Sequence, residues 1–269
     1  MRINRKYTLG LIGCGHMGLA IARGAVRKEY LERFQIAVYD PSAEVQDICR
    51  REGFELLANE KEVADKSHIT LLAVTPQQCE AVTDSLKDAD INCLLSIVTG
   101  VSISHLQEKL NNAPVIRAMP NTPLQINEGA TALCMSANCK ADDYDFVFQL
   151  FNSMGTTRTI PEEMMNNVVA VHGSIPAYVY YFTQCILNDA VARGMDEQDA
   201  RALLVQTVIG AGELLEKNAP TPIDEFIDEV CSKGGTTIEA INELKSRNLD
   251  QIIHDANQKC IHRAEELGR

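Results

Sequence analysis

The feature that most constrains the fold is a strand, a glycine-rich turn and a helix that follow one another near the amino terminus. An apolar run at Tyr7–Ile12 leads into Gly13-Cys14-Gly15-His16-Met17-Gly18, and a helical pattern begins at Leu19. In such a turn the first glycine bends the chain, the second lets a pyrophosphate approach the backbone, and the third lets the helix pack on the strand. We therefore predict that a dinucleotide binds here, and we prefer this interpretation to a glycine-rich turn without function. The predicted contacts are Gly13, Gly15, His16, Met17 and Gly18.

An acidic residue ends the second predicted strand. Residues 35–39 form a short apolar run, and Asp40 follows it about twenty residues beyond Gly18, where an acid meets the adenosine ribose hydroxyls. A carboxylate at this point repels a 2′-phosphate, so Asp40 slightly favours NAD over NADP as the coenzyme. The nearby Ser42 hydroxyl offers a donor to a phosphate, and both coenzymes therefore remain open.

Further apolar runs alternate with helical patterns along the first part of the chain. Those at residues 69–74, 93–98 and 115–119 are continuous, which is typical of strands that are buried on both faces. They predict an α/β Rossmann-type domain with a mostly parallel sheet. Ligands bind beyond the carboxyl ends of parallel strands. The loops expected to face the coenzyme therefore begin at Thr75, Thr99 and Pro120.

The pattern changes at about Pro161, after which strand-like runs cease. Helical periods follow, and residues 176–192 and 197–216 are apolar on a broad face, which indicates burial against a second subunit. We predict a Rossmann domain at residues 1–160 and an all-α dimerisation and substrate-binding domain at residues 161–269. The aromatic side chains of the first of these helices are expected in the core rather than in a ligand cage: Tyr178, Tyr180, Tyr181 and Phe182.

A second glycine turn lies at the head of an amphipathic helix in this helical part. It reads Ser232-Lys233-Gly234-Gly235-Thr236-Thr237. The first N–H groups of a helix have no intrahelical partner, and glycines let a ligand approach the backbone, so the turn is suited to hold a small anion. The alternative is an ordinary helix cap, which serine or threonine provides in many proteins.

The composition excludes several classes of partner. The formal net charge of −12 disfavours nucleic acid and anionic membranes. The chain has no apolar run of the roughly eighteen residues that a membrane-spanning helix needs. Residues 1–6 carry no signal-peptide pattern, and the protein is expected to be cytoplasmic.

The nine cysteines are scattered through the chain, without the paired spacing of metal ligands. Cys134 and Cys139 are the nearest pair, and no histidine accompanies them. We therefore expect reduced thiols and no metal site.

Five motifs together carry a resemblance to a known family. They are Gly13-Cys14-Gly15-His16-Met17-Gly18, Ala73-Val74-Thr75-Pro76, Arg117-Ala118-Met119-Pro120-Asn121-Thr122-Pro123, Gly173-Ser174-Ile175-Pro176-Ala177-Tyr178 and Ser232-Lys233-Gly234-Gly235-Thr236-Thr237-Ile238. In order and spacing, and over nearly the whole chain, they resemble the pyrroline-5-carboxylate reductases. The resemblance implies reduction of 1-pyrroline-5-carboxylate to L-proline by hydride from NADH or NADPH. It also implies a Rossmann domain and a helical domain that interlocks with its twin, in dimers or dimer-based higher oligomers.

The same resemblance assigns roles to individual residues. The substrate carboxylate is expected on the turn at Ser232, Gly234, Gly235 and Thr236, and the Thr237 hydroxyl on the ring nitrogen. Further positions are placed around the substrate or the nicotinamide, with no catalytic metal: Ser174 near the substrate, Ala73, Val74 and Pro76 beside the nicotinamide, Thr99 and Gly100 near the ribose, and Asn121 and Pro123 on the floor of the cleft.

Several positions depart from the pattern of the family. His16, Thr75, Thr99, Ile175 and Lys233 stand where the family commonly has asparagine, lysine, alanine, glycine and proline. These changes surround the expected site and leave two alternatives open. One is a divergent relative that reduces another cyclic imine or imino acid, and the other is a non-catalytic sensor of NAD(P)H.

Overall fold

The computed structural model describes residues 5–268, and one sheet of eight strands runs through the part of the chain before Pro161. Residues 1–4, on which the expectation of no signal peptide partly rests, lie outside this range. The strands are β1 (Tyr7–Ile12), β2 (Ile36–Tyr39), β3 (Glu55–Leu56), β4 (Ser67–Leu72), β5 (Cys93–Ser96), β6 (Val115–Pro120), β7 (Gly129–Met135) and β8 (Gly155–Thr159).

The sheet has the strand order β3-β2-β1-β4-β5-β6-β7-β8, and neighbouring strands run parallel except β6 and β7. The prediction of a mostly parallel Rossmann-type sheet is therefore confirmed. The sequence pattern does not predict β3, β7 or β8. The reason is visible in β8, whose Thr156, Arg158 and Thr159 are exposed at the sheet edge, so that the strand lacks a continuous apolar run.

Eleven α-helices occur within residues 5–268, and the first six accompany the sheet. These are α1 (His16–Arg27), α2 (Ala43–Arg51), α3 (Glu60–Lys66), α4 (Pro76–Ser85), α5 (Ile103–Lys109) and α6 (Ala141–Asn152). The other five are α7 (Ile175–Ala192), α8 (Glu197–Lys217), α9 (Ile223–Val230), α10 (Thr236–Ser246) and α11 (Leu249–Leu267). The predicted helices at 176–192 and 197–216 correspond to α7 and α8.

Both faces of the sheet are covered by apolar side chains, as a buried parallel sheet requires. Leu9 and Leu11 of β1 lie in one buried cluster with Ile21 of α1. Ile12 of β1 lies in another buried cluster, together with Val63 of α3. The alternation along β1 thus separates two halves of one core.

The chain divides into two compact units. The first, which we call the sheet unit, comprises the residues up to Pro176 together with those from Cys260 onward, and the second, the helical unit, comprises Ala177–Lys259. The domain boundary between residues 160 and 161 stays a prediction.

The last residues of the sheet unit pack on Gly100, far away in sequence. Gly100 has a φ of +86°, and a Cβ atom there would lie 2.3 Å from the Ala264 carbonyl oxygen and 2.8 Å from the Gly268 nitrogen. Only glycine allows this approach of two backbones. The loop after β5 is therefore closed by the end of α11.

The helical unit exposes many apolar side chains. Tyr180, Tyr181 and Phe182 of α7 are 65%, 75% and 52% exposed in the single chain, and Leu203 and Ile209 of α8 are 62% and 49% exposed. The expectation that these aromatics lie in the core is therefore wrong for one chain taken alone, because α7 carries apolar side chains around most of its circumference. No helix within the described range is long and apolar enough to cross a membrane.

Candidate coenzyme and substrate sites

The glycine turn between β1 and α1 is closed around Gly13. This residue has a φ of +90°, and a Cβ atom there would lie 2.6 Å from the Ala73 carbonyl oxygen. Its N–H donates to the Tyr39 carbonyl at 2.9 Å. The turn is thus held between β2 and the end of β4, and this position requires glycine.

Gly18 and Gly15 have the backbone surroundings that their two expected roles require. A Cβ atom on Gly18 would lie 2.4 Å from the Gly13 carbonyl oxygen, whereas none of the described atoms lies within 4 Å of a Cβ position on Gly15. Gly15 caps α1, which begins at His16. The unpaired N–H groups of that first turn and the open backbone of Gly15 suit a phosphate, so the residues present fit a dinucleotide.

Asp40 holds the glycine turn from the end of β2. One carboxylate oxygen accepts from the Cys14 N–H at 2.8 Å, and the other accepts from the Ser42 N–H at 2.9 Å. Ser42 in turn caps α2 through its hydroxyl, which accepts from the Val45 N–H. The carboxylate is therefore fixed in place, and its contact with a ribose stays a prediction.

Cys14 forms a thiol pair with Cys49 of α2 that the spacing of the cysteines did not reveal. Both thiols are fully buried. Their mutual hydrogen bond and burial raise the pKa of Cys14, and the same hydrogen bond lowers the pKa of Cys49. The pair fills the space beneath the glycine turn and packs it against α2.

The carboxyl ends of the strands meet at one cavity of about 380 Å³. The cavity brings together the glycine turn and the loops after β4, β5 and β6, as expected from a parallel sheet. Its lining residues are Gly15, His16, Met17, Ala73, Val74, Thr75, Ile97, Thr99, Met119 and Pro120. Sequence reasoning missed that Ile97 and Met119 line this cavity, although both lie at the end of a predicted strand.

Pro76, Gly100 and Asn121 lie beside this cavity rather than in its wall. Pro76 begins α4, for which Thr75 and Gln78 form a capping box. The buried side chain of Asn121 accepts from the Ala130 N–H at 2.8 Å and donates to the His172 carbonyl at 3.2 Å. Its amide therefore fixes the loop after β6, and the coenzyme contacts of these residues stay predictions.

The segment before α7 is tied to the same loop. His172 Nε2 lies 2.7 Å from the Met119 carbonyl oxygen, and because a carbonyl only accepts, this nitrogen carries the proton. The Ser174 hydroxyl lies 3.1 Å from the Cys260 sulfur. Ser174 is thus engaged within the sheet unit, and its role toward a substrate stays a prediction.

The second glycine turn lies within the helical unit at the start of α10. Gly234 has a φ of +74° with no described atom within 4 Å of a Cβ position. The Gly235 N–H donates to the Ser232 carbonyl at 2.9 Å, and α10 begins at Thr236. The first N–H groups of this helix are available to an anion.

Thr237 follows on the first turn of α10 and lines an apolar cavity of about 390 Å³. The cavity lies between α8, α9 and α10. Its other lining residues are Ala211, Leu214, Leu215, Ile223, Phe226, Ile227, Glu229, Val230, Cys231 and Ile241. The turn thus joins a polar helix start to an apolar wall. Whether Ser232, Gly234, Gly235, Thr236 and Thr237 contact a substrate stays a prediction.

Two families match successive parts of the chain. Residues 8–100 match the family described as NADP oxidoreductase, coenzyme F420-dependent. Residues 162–267 match the family described as pyrroline-5-carboxylate reductase dimerisation. The first match covers the glycine turn and the strands β1 to β5, and the second covers the helical part.

Similar proteins extend this result to nearly the whole chain. An enzyme from Pasteurella multocida named pyrroline-5-carboxylate reductase is 33% identical over 96% of this chain and 96% of its own. The enzyme of that name from Escherichia coli is 33% identical over 97% of this chain and 98% of its own. The solved structure of pyrroline carboxylate reductase from Plasmodium falciparum with NADP bound matches with a TM-score of 0.88 and 26% identity. The match covers 99% of this chain and 100% of that structure's chain. The chain therefore belongs to the pyrroline-5-carboxylate reductase family.

Proposed function

We propose that this protein reduces 1-pyrroline-5-carboxylate to L-proline, with NADH or NADPH as the hydride donor. The observation that carries the proposal is the backbone at Gly15, open toward the strand-end cavity and flanked by two glycines that the fold closes. Membership of the family supports the choice of substrate.

The sheet unit is proposed to bind and orient the coenzyme. The N–H groups at the start of α1 hold the pyrophosphate, and the walls formed by Val74, Ile97 and Met119 exclude water from the nicotinamide. When bound, the reduced nicotinamide supplies the hydride that reduces the C=N carbon, and the proton on the ring nitrogen comes from water or is already carried by the substrate. The remaining task of the chain is to position the substrate.

The turn before α10 is proposed to bind the substrate. The N–H groups of Gly234 and Thr236 donate to the carboxylate, and Ser232 adds a hydroxyl donor. Gly235, whose own N–H donates to the Ser232 carbonyl, shapes the turn around the carboxylate. The Thr237 hydroxyl bonds the ring nitrogen and fixes the orientation of the C=N bond. Ser174 is assigned to the substrate by the family resemblance. No metal is required by this scheme.

Self-association is part of the proposal. The helical unit exposes apolar side chains that include Tyr181 and Leu203, and burying them in a second copy removes them from water. The match to a family described by its dimerisation supports this arrangement. We also propose a cytoplasmic location, which the nine free thiols support.

We propose a slight preference for NADH. The Asp40 carboxylate is held by two backbone N–H groups, so it turns away from a 2′-phosphate only by losing both hydrogen bonds. The relative from Plasmodium falciparum holds NADP, and both coenzymes are therefore compared at matched concentration. A strong preference for NADPH would contradict this assignment.

A panel of imines tests the reaction. The purified protein is given 1-pyrroline-5-carboxylate and a six-membered cyclic imino acid, and coenzyme oxidation is followed together with product formation. We expect proline from the five-membered substrate at a higher kcat/KM. A preference for the six-membered ring would indicate a divergent relative, and tight NAD(P)H binding without turnover would indicate a sensor.

A further inference from the structure

A cavity of about 840 Å³ lies on the sheet unit, where the carboxyl ends of α1 and α2 approach the short helical turn at Arg33–Gln35. Its lining residues are Arg23, Val26, Arg27, Arg33, Arg51, Glu52 and Phe54. Four arginines and one glutamate leave an excess of three positive charges on a chain whose formal net charge is −12. A cavity of this size accommodates a small molecule.

The positive charge of the cavity is larger than the partial negative charge that the nearby helix carboxyl ends contribute. Each helix carboxyl terminus contributes roughly half a negative charge, and the two that meet here contribute about one. About two positive charges therefore remain, and Glu52 is already counted among the opposing groups.

Two of the arginines are held in fixed positions. The Arg23 Nε donates to Glu52 at 2.8 Å, and its Nη2 donates to the other oxygen of the same carboxylate. The Arg27 Nη2 donates to the Gln125 carbonyl at 2.9 Å and to the Asn127 side-chain oxygen at 2.7 Å. These contacts order one wall of the cavity before any ligand arrives.

The two other arginines have guanidinium groups without a carboxylate partner in the described part of the chain. The Arg51 Nε donates a hydrogen bond to the Asp47 carbonyl oxygen at 3.2 Å, which leaves both Nη groups available. The Arg33 side chain passes beside Gly53, where its Cδ would lie in ordinary contact, at 3.4 Å, with a Cβ atom. Both side chains are exposed at the mouth of the cavity.

We propose that this cavity is a binding site for a small molecule that carries a chain of phosphate groups. Guanidinium groups present several N–H donors in a plane and bind phosphate oxygens in pairs. Arg33 and Arg51 supply the direct contacts, while Val26 and Phe54 form an apolar floor. The cavity includes no residue of the glycine turn. It shares Arg23 and Arg27 with a neighbouring cavity of about 590 Å³ that Cys14, Gly15 and His16 line, so competition with the coenzyme is part of the test.

The test is calorimetric titration of the full-length protein with inorganic triphosphate and with ATP, without substrate, in about 0.1 M salt. Binding by both probes, with a Kd below about 1 mM for inorganic triphosphate, supports the site. Tighter binding of ATP identifies a nucleotide as the source of the phosphate chain, and equal binding identifies a free polyphosphate. Binding of ATP alone, or of neither, overturns the proposal.

Variants locate the site. Arg33→Gln and Arg51→Gln are each expected to weaken triphosphate binding about tenfold, the loss of one charge-assisted contact. Arg50→Gln removes the same charge from the neighbouring position, where the guanidinium pairs with Asp47 outside the cavity, and is expected to change the Kd less than about twofold. Equal weakening by all three variants would show a diffuse effect of charge and overturn the site.

A competition experiment separates this proposal from the proposed reaction. Saturating NADH is expected to leave the Kd for inorganic triphosphate unchanged, whereas displacement by NADH would reassign the anion to the coenzyme site. Failure of proline formation leaves the titration unaffected, because the titration needs no turnover. Because all three substituted side chains are exposed, circular dichroism is expected to show the variants folded.

Discussion

Two glycine turns precede helices in this protein, and the fold treats them differently. In the turn at Gly13–Gly18, Cβ atoms on Gly13 and Gly18 would collide with backbone oxygens. In the turn before α10, the Cβ of Gly234 would meet open space, whereas that of Gly235 would lie 2.5 Å from the Ser232 hydroxyl oxygen, the end of a side chain within the turn itself. The first turn is therefore shaped by its own unit, and the second has room for a ligand or for another copy of the chain.

The difference shows that the two turns are fixed to different degrees before a ligand binds. A binding site whose backbone is fixed in advance loses little entropy when its ligand arrives. The first turn has this property, because Asp40 and Tyr39 fix it from β2. The second turn begins a helix whose unit leaves large apolar side chains exposed, and within residues 5–268 no comparable contacts from neighbouring strands hold its Gly234.

The largest expected effect tests the closed turn. Gly13→Ala combines a φ of +90° with a Cβ 2.6 Å from the Ala73 carbonyl oxygen, and we expect a loss of about 3 kcal/mol in the free energy of unfolding. Urea denaturation measures it. Gly15→Ala is the control, since its φ of −66° and open surroundings tolerate a methyl group, and it is expected to weaken NADH binding while leaving stability unchanged. Equal stability of the two variants would refute the contrast between closed and open positions.

The next effect concerns the open turn and its chemistry. Thr237→Ala is expected to lower kcat by about ten- to a hundredfold, because the ring nitrogen loses its hydroxyl partner. The affinity for NADH, measured by titration, is expected to remain the same. Thr237→Ser keeps the hydroxyl and should retain most of the activity. Unchanged kinetics in Thr237→Ala would remove this residue from the mechanism.

A third variant tests how strongly Asp40 determines the preference between NADH and NADPH. Asp40→Asn removes a unit charge beside the expected 2′-phosphate position, and the ratio of kcat/KM for NADPH over NADH is expected to rise about tenfold. Steady-state kinetics with both coenzymes provide the measurement. Glu44→Gln, on the exposed first turn of α2, is the matched control and should leave the ratio nearly the same. A similar change in both variants would mean that the general field, not Asp40, sets the preference.

Gly234→Ala tests the open turn in the same way as Gly13→Ala tests the closed one, with a smaller expected loss of stability. The φ of +74° strains an alanine, but the surrounding space is open, so we expect a loss of only about 1 kcal/mol. Urea denaturation under the conditions used for Gly13→Ala gives a direct difference. A loss as large as that of Gly13→Ala would show that the second turn is also held tightly.

The smallest expected effect lies beside the closed turn. The hydrogen bond from Arg23 holds the pKa of Glu52 below its usual range, against a smaller opposing effect of burial. A carboxyl of this kind stabilises the fold above its unfolded-state pKa, and the stabilisation is lost as the pH falls through the folded-state pKa. Arg23→Gln is therefore expected to cost less than about 1 kcal/mol at pH 7. The two proteins should become equally stable once Glu52 is protonated, and a constant difference down to that pH would exclude this pair as the cause.

Much of the sheet unit follows from local sequence. The spacing of Gly13, Gly15 and Gly18 predicts a tight turn, an open backbone position and a close helix–strand contact. The structure has all three geometries, because the strand, turn and helix are adjacent in the chain. The approach of a pyrophosphate to Gly15 stays a prediction. The strands β1, β2, β4, β5 and β6 were expected from continuous apolar runs. The antiparallel β7 and the polar edge strand β8 were not, since neither has that pattern.

Contacts between distant segments are what the sequence did not predict. The Asn121 amide is occupied by Ala130 and His172, and Ser174 meets Cys260. The arginine cavity likewise gathers residues from the ends of two helices and the turn at Arg33. Hydrophobic periodicity describes one helix or strand at a time, whereas contacts between distant segments depend on how the elements pack.

The packing of Ala264 and Gly268 against Gly100 has a consequence for how the protein is made. A ribosome synthesises the chain from its amino terminus, so the loop after β5 waits uncovered until more than 160 further residues have been added. The loop after β5 is thus translated early but covered late, when Ala264 and Gly268 pack on Gly100. The sheet unit is therefore completed only after the helical unit, which lies between its two segments in the sequence, has been synthesised.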